Sequence, residues 1–522
     1  MSRSAYVPDW LAARAALTPD RVGLVDWATG DETTYAAWNA RATRTARLLA
    51  RLGVGKGDLV SVISGNRPEV VDLLFACNKL GAVLHNLNWR LTPHELRPIV
   101  AEAAPRALVY GPDPADRAAA LREVLAGAPV VALDGAHPGD AAAMAARAAE
   151  AADPLPDPGL GPDDPWAIFY TGGTTGLPKG AVLTHANMAW TSVDTVTGWG
   201  LTADDAAPVQ LPLFHIGGFN IFLLPLVHVG GRVVLCRGFD ADETFDLVAR
   251  GGITCLMGVP TTFGMLQAHA RWAAADFSAL RLVISGGAPC PLPVMERFWD
   301  RGVPFKTGYG LTEAAGNNFW LPDADVRRKP GSVGHPLFHV GVRIARADGS
   351  EAAVDEVGEL LIRGPHVMAG YFRRPEATAE ALRDGWLWTG DLARRDADGC
   401  VWIAGRAKEM FISGGENVYP AEVESALHAH PAVAEAALIA VPDARWGEVG
   451  HAFVVPEPGR DFDPDALRAF LADRLAGYKR PHGFTLVDAL PTTAIGKLDK
   501  TALATRWRAA GLSPSPTPEA LP

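Results

Sequence analysis

Residues 170–180 read YTGGTTGLPKG, a run of four glycines, three threonines and one lysine that neither a strand nor a helix favours. Glycine lets a backbone come close to a phosphate, and the Thr171, Thr174 and Thr175 hydroxyls with the Lys179 ammonium suit the oxygens of a β- or γ-phosphate. The run departs from the common phosphate-loop pattern, because Lys179 stands between Pro178 and Gly180 instead of between a glycine and a hydroxyl residue. It also lacks the paired spacing of a dinucleotide fingerprint, and a flexible surface turn would account for the glycines alone. Two further stretches carry related chemistry. SGGAP at 285–289 and TGYGLTE at 307–313 each end a strand-like run, where ligands gather at the carboxyl edges of open α/β sheets. Tyr309 offers a ring to a purine, Thr312 a hydroxyl to an α-phosphate, and Glu313 a hard carboxylate to magnesium. Taken singly, GYG is equally a tight turn and Glu313 an ordinary helix-start carboxylate.

The elements that must position these residues alternate between short β-branched or aromatic runs and helical patterns, which predicts an α/β fold. WAIFY at 166–170, RLVISGG at 281–287 and VGELLIRG at 357–364 read as strands. The phosphate-type loop follows WAIFY and precedes GAVL, so it is expected at the tip of a hairpin-like turn. Residues 115–158 are alanine-rich with scattered charge and read as surface helices and loop. A chain of 522 residues is too long for one core. We expect a large N-terminal domain of several α/β subdomains over 1–406, a smaller mobile α+β domain over 407–511, and an unordered proline-rich tail over 512–522. In the second domain Pro420 with Glu422 and Glu424 starts a helix, VAEAALIAV and VGHAFVV are strands, and Asp463, Pro464 and Gly477 bound another helix.

The net charge of −11 leaves no basic field for a phosphate backbone, so nucleic acid is excluded as a partner. Five cysteines, widely spaced and odd in number, suit a reducing cytoplasm and lack the close pairs of a zinc site. The N-terminus carries charge where a signal peptide needs an apolar core, and reads as a short helix. The most apolar run, FNIFLLPLVHVGG at 219–231, is broken by Pro225 and His228 and is too short to span a bilayer.

YTGGTTGLPKG, SGGAP, GYGLTE, WTGD (388–391), GRAKEMFISGGENVYPAEVE (405–424) and PTTAIGK (491–497), in this order and spacing, resemble the adenylate-forming (AMP-binding) superfamily of acyl-CoA synthetases, adenylation domains and luciferases. The resemblance covers nearly the whole chain. It implies ATP, Mg2+ and coenzyme A as cofactors and a small carboxylic acid as substrate. It further implies that Thr171, Gly172, Gly173, Thr174, Thr175, Gly176 and Lys179 hold the phosphates. Gly286, Gly287, Ala288 and Pro289 with Gly308, Tyr309 and Gly310 cradle adenine, and Asp391 and Arg406 hold the ribose. Thr312 meets the α-phosphate, Glu313 with Thr174 binds the metal, and Lys497 bridges the attacking carboxylate and the phosphate. Lys408 corresponds to the hinge, and Gly414 and Gly415 line the pantetheine tunnel. Gly172 stands where the family often has serine, and Thr492 and Ile495 replace an arginine and a threonine frequent before the catalytic lysine.

Nothing after Lys497 resembles a carrier-protein segment, so free coenzyme A is the expected acceptor; loading of a separate carrier protein is the alternative. LPLFHIGGFN at 211–220 resembles the segment that walls the acyl pocket, with Phe214 in the pocket and His215 near the reacting carboxylate as gate or orienting group. Gly217 and Gly218 leave the pocket floor open, which leads to a medium- or long-chain fatty acid as the first expectation and an aryl acid as the second. A homodimer is left open.

Overall fold

The computed structural model describes residues 6–113, 115–171, 178–250, 252–413, 416–443, 445–493 and 498–511. Strands Pro165–Thr171 and Lys179–Thr184 form the antiparallel hairpin expected around the glycine-rich loop, with Tyr170 opposite Gly180 and Thr171 opposite Lys179. A side chain at 180 would meet Ile168 Cγ2 at 2.8 Å and the Tyr170 ring at 3.2 Å, so glycine lets the hairpin close beneath the loop. The hairpin lies toward one edge of an eight-stranded sheet. Its order is Gly370–Tyr371, Lys179–Thr184, Pro165–Thr171, Val83–Leu87, Leu59–Ile63, Ala107–Tyr110, Val130–Ala132, Ala142–Ala143. From Pro165–Thr171 to the far edge all neighbours are parallel, and their strands are accordingly buried in near-continuous runs.

Val130–Ala132 corrects the reading of the alanine-rich stretch. Helix Ala115–Leu121 is there, but Val131 and Ala132 are fully buried in the sheet. A three-residue strand among alanines has too few β-branched residues to stand out.

Three parallel strands, Cys255–Gly258, Leu282–Ser285 and Phe305–Thr307, form a second sheet whose register sets Gly258, Ser285 and Thr307 level. SGGAP and GYGLTE therefore leave the sheet side by side. A third sheet pairs Gly341–Ala345, Gly358–Arg363, Trp386–Arg395, Leu382–Arg383 and Val401–Arg406, all antiparallel.

Beyond residue 410 the chain builds its own cores. Phe411, Val418, Val423, Leu427, Leu438, Val454, Leu467 and Leu471 form one, and Ile439, Val449, Phe453 and Leu503 another. Helices Pro420–His428 and Pro464–Ala472 start at the predicted prolines, and Asp463 caps the second by accepting from the Asp465 amide. That helix ends at Ala472, short of Gly477, where a 3₁₀ turn Gly477–Lys479 takes over. Helix Lys500–Ala509, capped by Asp499, has no counterpart in the sequence reading; only Leu503 on it is buried, so it carries little periodic signal. The apolar 219–231 run lies in short helices Ile216–Asn220 and Leu223–Val229, and among the described residues no helix is long and apolar enough to cross a membrane.

Four histidines are buried: His85 beneath the hairpin, His185 stacked 4.9 Å from Trp166, His366, and His451 in the C-terminal sheet. Burial lowers all four, His85 to about 3 and the others to about 4. A folded-state value below the unfolded one means that the unfolded chain binds protons the folded chain refuses. Stability is then full above about pH 6.5 and falls as pH drops toward 4, at roughly 1 kcal/mol per pH unit for each histidine. We predict a melting temperature that is flat from pH 8 to 7 and declines steeply between pH 6 and 5. A flat profile down to pH 5 would contradict the neutral, buried assignment.

Candidate active site

Asp391 is the centre of the best-defined polar cluster. Its strand, Trp386–Arg395, sets it opposite Arg406 of Val401–Arg406, and Arg406 Nε lies 2.7 Å from Asp391 Oδ1. The Tyr309 hydroxyl donates to Asp391 Oδ2. Asp391 is 4 % exposed, whereas the Arg406 side chain is 47 % exposed, so the carboxylate is fixed from below and the guanidinium faces solvent. The Asp391 amide donates to Thr389 Oγ1, whose hydroxyl donates to the Leu360 carbonyl, which holds the strand in this register. Burial, then the Asp391 charge, raises the Tyr309 phenol well above its ordinary value, so it stays a donor.

Tyr309 sits between the two loops that close the three-stranded sheet. The Gly308 amide donates to the Ser285 carbonyl at 2.8 Å, and a Cβ on Gly308 would come within 3.0 Å of Ile284. Gly310 is required by packing: a Cβ there would lie 1.7 Å from the Gly316 carbonyl oxygen in the short pair Gly310–Leu311 and Gly316–Asn317. Gly287, Ala288 and Pro289 are exposed, and Gly287 has φ +80°. The surface beside Tyr309 is therefore bare backbone, open to a flat ring.

Glu313 follows in the 3₁₀ turn Thr312–Ala314, which packs against the glycine-loop hairpin. Tyr371 donates to Glu313 Oε1 at 2.8 Å, and Lys179 Nζ lies 5.2 Å from the centre of the Tyr371 ring. Strand Gly370–Tyr371 pairs with Lys179–Thr184, so one short edge strand joins the loop lysine to the acid. Burial and the Glu313 charge both raise the Tyr371 phenol. Among the described residues Glu313 Oε2 takes no hydrogen bond, leaving an oxygen suited to a hard cation. Tyr371 carries no local signal in the sequence, being a lone tyrosine 58 residues from its partner.

Beneath the loop, Ser61 Oγ, His85 and the Tyr170 hydroxyl form a chain at 2.7 Å and 2.8 Å, and Thr171 Oγ1 donates to the Lys179 carbonyl at 3.4 Å. Gly172, Gly173, Thr174, Thr175 and Gly176 lie outside the described residues, as do Gly414, Gly415 and Lys497. Lys408 is exposed in the turn after Arg406, where the Glu409 and Met410 amides both donate to the Arg406 carbonyl.

Gly217 lines a narrow, mostly apolar cavity with Pro208, Val209, Gln210, Leu211, Ile221, Phe222 and Met257. Met257 Cε also reaches Gly286, 3.1 Å from where its Cβ would stand, so the cavity adjoins the SGGAP loop. Gly218 and Phe214 are not part of this lining. A Cβ on Gly218 would come 2.6 Å from the Pro212 carbonyl oxygen, so that glycine serves close packing and leaves no pocket floor open. Phe214 is buried against the His215 ring, 4.6 Å away, and beneath the Arg90 guanidinium at 5.6 Å. His215 is the N-cap of helix Ile216–Asn220, two residues before Gly217.

The model of the AMP-binding enzymes matches residues 11–372, and that of the AMP-binding enzyme C-terminal domain matches residues 422–497. The chain belongs to this family of adenylate-forming enzymes. It is an AMP-forming acid–CoA ligase, and such enzymes use ATP, Mg2+ and coenzyme A. It is 41 % identical to a feruloyl-CoA synthase of Amycolatopsis sp over 97 % of this chain and 100 % of that protein. It is 39 % identical to the indoleacetate–CoA ligase of Aromatoleum aromaticum over 94 % and 96 %. Among solved structures, the ATP-bound MatB of Rhodopseudomonas palustris superposes with a TM-score of 0.87 at 34 % identity, over 96 % of this chain and 99 % of that one. The Bacillus subtilis o-succinylbenzoate CoA synthetase holding its acyl-adenylate has a TM-score of 0.83 at 32 % identity, over 95 % and 98 %.

Proposed function

We propose that this enzyme activates an aryl or arylalkanoic acid. The carboxylate attacks the α-phosphorus of ATP, giving an acyl adenylate and pyrophosphate; the thiolate of coenzyme A then attacks the acyl carbon and expels AMP. The observation that carries the aryl reading is the similarity, over nearly the whole chain, to enzymes named for ferulate and indoleacetate. The small, mostly apolar Gly217 cavity beside the SGGAP loop marks where the acid's apolar part would enter. That similarity replaces the fatty-acid expectation, which also relied on Gly218.

Within that reading adenine lies on the bare backbone beside Tyr309, and Asp391 accepts from the ribose hydroxyls with Arg406 at their edge. Thr312 donates to the α-phosphate and Lys179 faces the departing pyrophosphate. Glu313 would hold Mg2+ with the carboxylate oxygen that Tyr371 leaves free, and the ion would supply neutralisation of phosphate charge. Lys497 bridges the two reacting groups.

The test is kcat/KM across a panel of cinnamic, arylacetic and benzoic acids against saturated acids of eight to sixteen carbons. Aryl acids should lead by at least about tenfold, the size of one pocket mismatch. An equal or higher value for dodecanoate would sink the reading. Consumption of free coenzyme A in the same assay separates it from carrier-protein loading.

Gly217→Val provides a residue-level check. Its Cβ would stand 3.2 Å from Leu211 Cδ1, so the valine methyls must enter the slot. Overpacking of about 1–2 kcal/mol should lower kcat/KM for the preferred acid roughly 5- to 30-fold while KM for ATP holds. An unchanged value would show that Gly217 does not face the acid.

We place the domain boundary at residues 406 and 407 and the pivot at Lys408. Lys408→Pro fixes φ near −65° and should slow thioester formation at least about tenfold more than pyrophosphate exchange. Equal loss in both half-reactions, with the circular dichroism unchanged, would argue against a hinge there.

A further inference from the structure

At the far end of the hairpin that carries Asp391 and Arg406, three potential metal ligands meet. Asp325, His335 and Cys400 each bring one ligand atom, and these atoms lie within 4.8 Å of one another. Cys400 Sγ and His335 Nε2 are 3.4 Å apart. In a tetrahedral zinc site, bonds of about 2.3 Å to sulfur and about 2.0 Å to nitrogen put those two atoms roughly 3.5 Å apart. We propose that Asp325, His335 and Cys400 form a binding site for a thiophilic divalent cation such as Zn2+, separate from the magnesium site of the adenylation reaction.

The three residues come from separate segments, and the backbone fixes each one. Gly334 and Val401 form an antiparallel bridge in which the Val333 and Val401 amides donate to the Val401 and Gly334 carbonyls, setting His335 beside Cys400. Gly334 can approach because it has no side chain: a Cβ would lie 2.1 Å from the Trp320 carbonyl oxygen. Ser332 Oγ donates to the Val401 carbonyl at 2.8 Å and accepts from the Gly334 amide at 3.0 Å. The Cys400 amide donates to Asp396 Oδ1, and the Asp396 amide returns a bond to the Cys400 carbonyl, both at 3.0 Å. Arg328 binds Asp325 twice, through Nε and Nη2, and both bonds go to Oδ1. The second oxygen takes neither. A thiol–imidazole hydrogen bond would explain the 3.4 Å pair alone, but it does not call for a carboxylate on the same point.

The donor set also fits the charge. Thiolate, neutral imidazole and carboxylate together neutralise a divalent ion and leave a fourth position for water. The neighbouring cations Lys329 and Arg328 are matched by the two other carboxylates, Asp396 and Asp398. The strand from Asp391 to Arg395, about 13 Å long, lies between Asp391 and the turn that carries Cys400. An ion here would tie the 396–400 turn to the 323–336 segment without touching the nucleotide.

The test uses the full-length enzyme stripped with chelator and titrated with Zn2+ or Co2+. The expected result is one Zn2+ per chain, a higher melting temperature with Zn2+, and a thiolate-to-Co2+ charge-transfer band in the near ultraviolet. Cys400→Ser should abolish the band, and His335→Gln should weaken Zn2+ binding at least tenfold, each with unchanged circular dichroism. Cys290→Ser, which alters the partly exposed cysteine, should leave all three signals in place. No Co2+ band in the wild type, a band that survives Cys400→Ser, or Zn2+ affinity unchanged in His335→Gln would each overturn the site.

Discussion

Lys497→Ala should stop adenylate formation while leaving the thiol step intact, lowering pyrophosphate exchange about 10²- to 10³-fold, the usual cost of losing one preorganised group that stabilises developing charge. The effect comes from charge. In the first step a carboxylate must approach a triphosphate, and the transition state needs a cation between them; a preformed acyl adenylate already carries its leaving group. The described residues on either side of 494–497 are held together, since Thr492 and Leu498 form an antiparallel bridge and the Asp499 amide donates to the Pro491 carbonyl at 2.8 Å. The next lysine is not a substitute: Lys500 Nζ is held between Glu409 at 3.0 Å and Glu424 at 2.9 Å. Burial lowers the Lys500 ammonium but those two carboxylates outweigh it and raise it, and the Lys500–Glu409 pair joins helix Lys500–Ala509 to the turn that contains Lys408. The measurement is pyrophosphate exchange set beside thioester formation from a synthetic acyl adenylate. Wild-type exchange in the variant would remove Lys497 from the bridging role, and an equal loss of both half-reactions would mean that the substitution acts through the fold.

The parts of the site that could be read from the chain are those whose chemistry is local. WAIFY and GAVL flank a glycine-rich loop, and a strand–loop–strand pattern with that spacing can close in few ways; the hairpin from Pro165–Thr171 to Lys179–Thr184 follows. SGGAP and GYGLTE end strands, and parallel register makes the ends neighbours. What stayed illegible depends on distant contacts. Tyr371 matters because a two-residue edge strand carries it to Glu313, and neither the strand nor the pairing leaves a local trace. Gly217 and Gly218 look alike in sequence, yet one lines a cavity and the other faces the Pro212 carbonyl, a difference set by which side of a five-residue helix each occupies. The cysteines showed no metal spacing because the partners of Cys400 come from segments more than sixty residues earlier, brought in by the Gly334–Val401 bridge.

Asp391→Asn should have the largest effect on ATP. The substitution keeps size and shape but removes the charge on which Tyr309 and Arg406 converge, and it places an amide NH2 where one of two donors now points. Hydrogen bonds to a charged group contribute about 1.5–3 kcal/mol each, so losing the charged acceptor should cost about 3–4 kcal/mol in the nucleotide complex, or roughly 10²- to 10³-fold in kcat/KM for ATP. Because Asp391 is buried and shared between Tyr309 and a neighbouring strand, the melting temperature should also fall by a few degrees. Arg406→Ala separates the two contributions. Its side chain is 47 % exposed, so solvent screens the pair and the loss should be nearer tenfold, with little change in stability. KM for the acid and for coenzyme A should hold in both variants, since the Gly217 cavity does not include either residue. If Asp391→Asn leaves KM for ATP unchanged and only lowers the melting temperature, the cluster is a structural brace and the ribose must be held elsewhere. If KM rises for the acid as much as for ATP, the acid slot and the nucleotide cradle are coupled more tightly than the Met257–Gly286 contact alone provides.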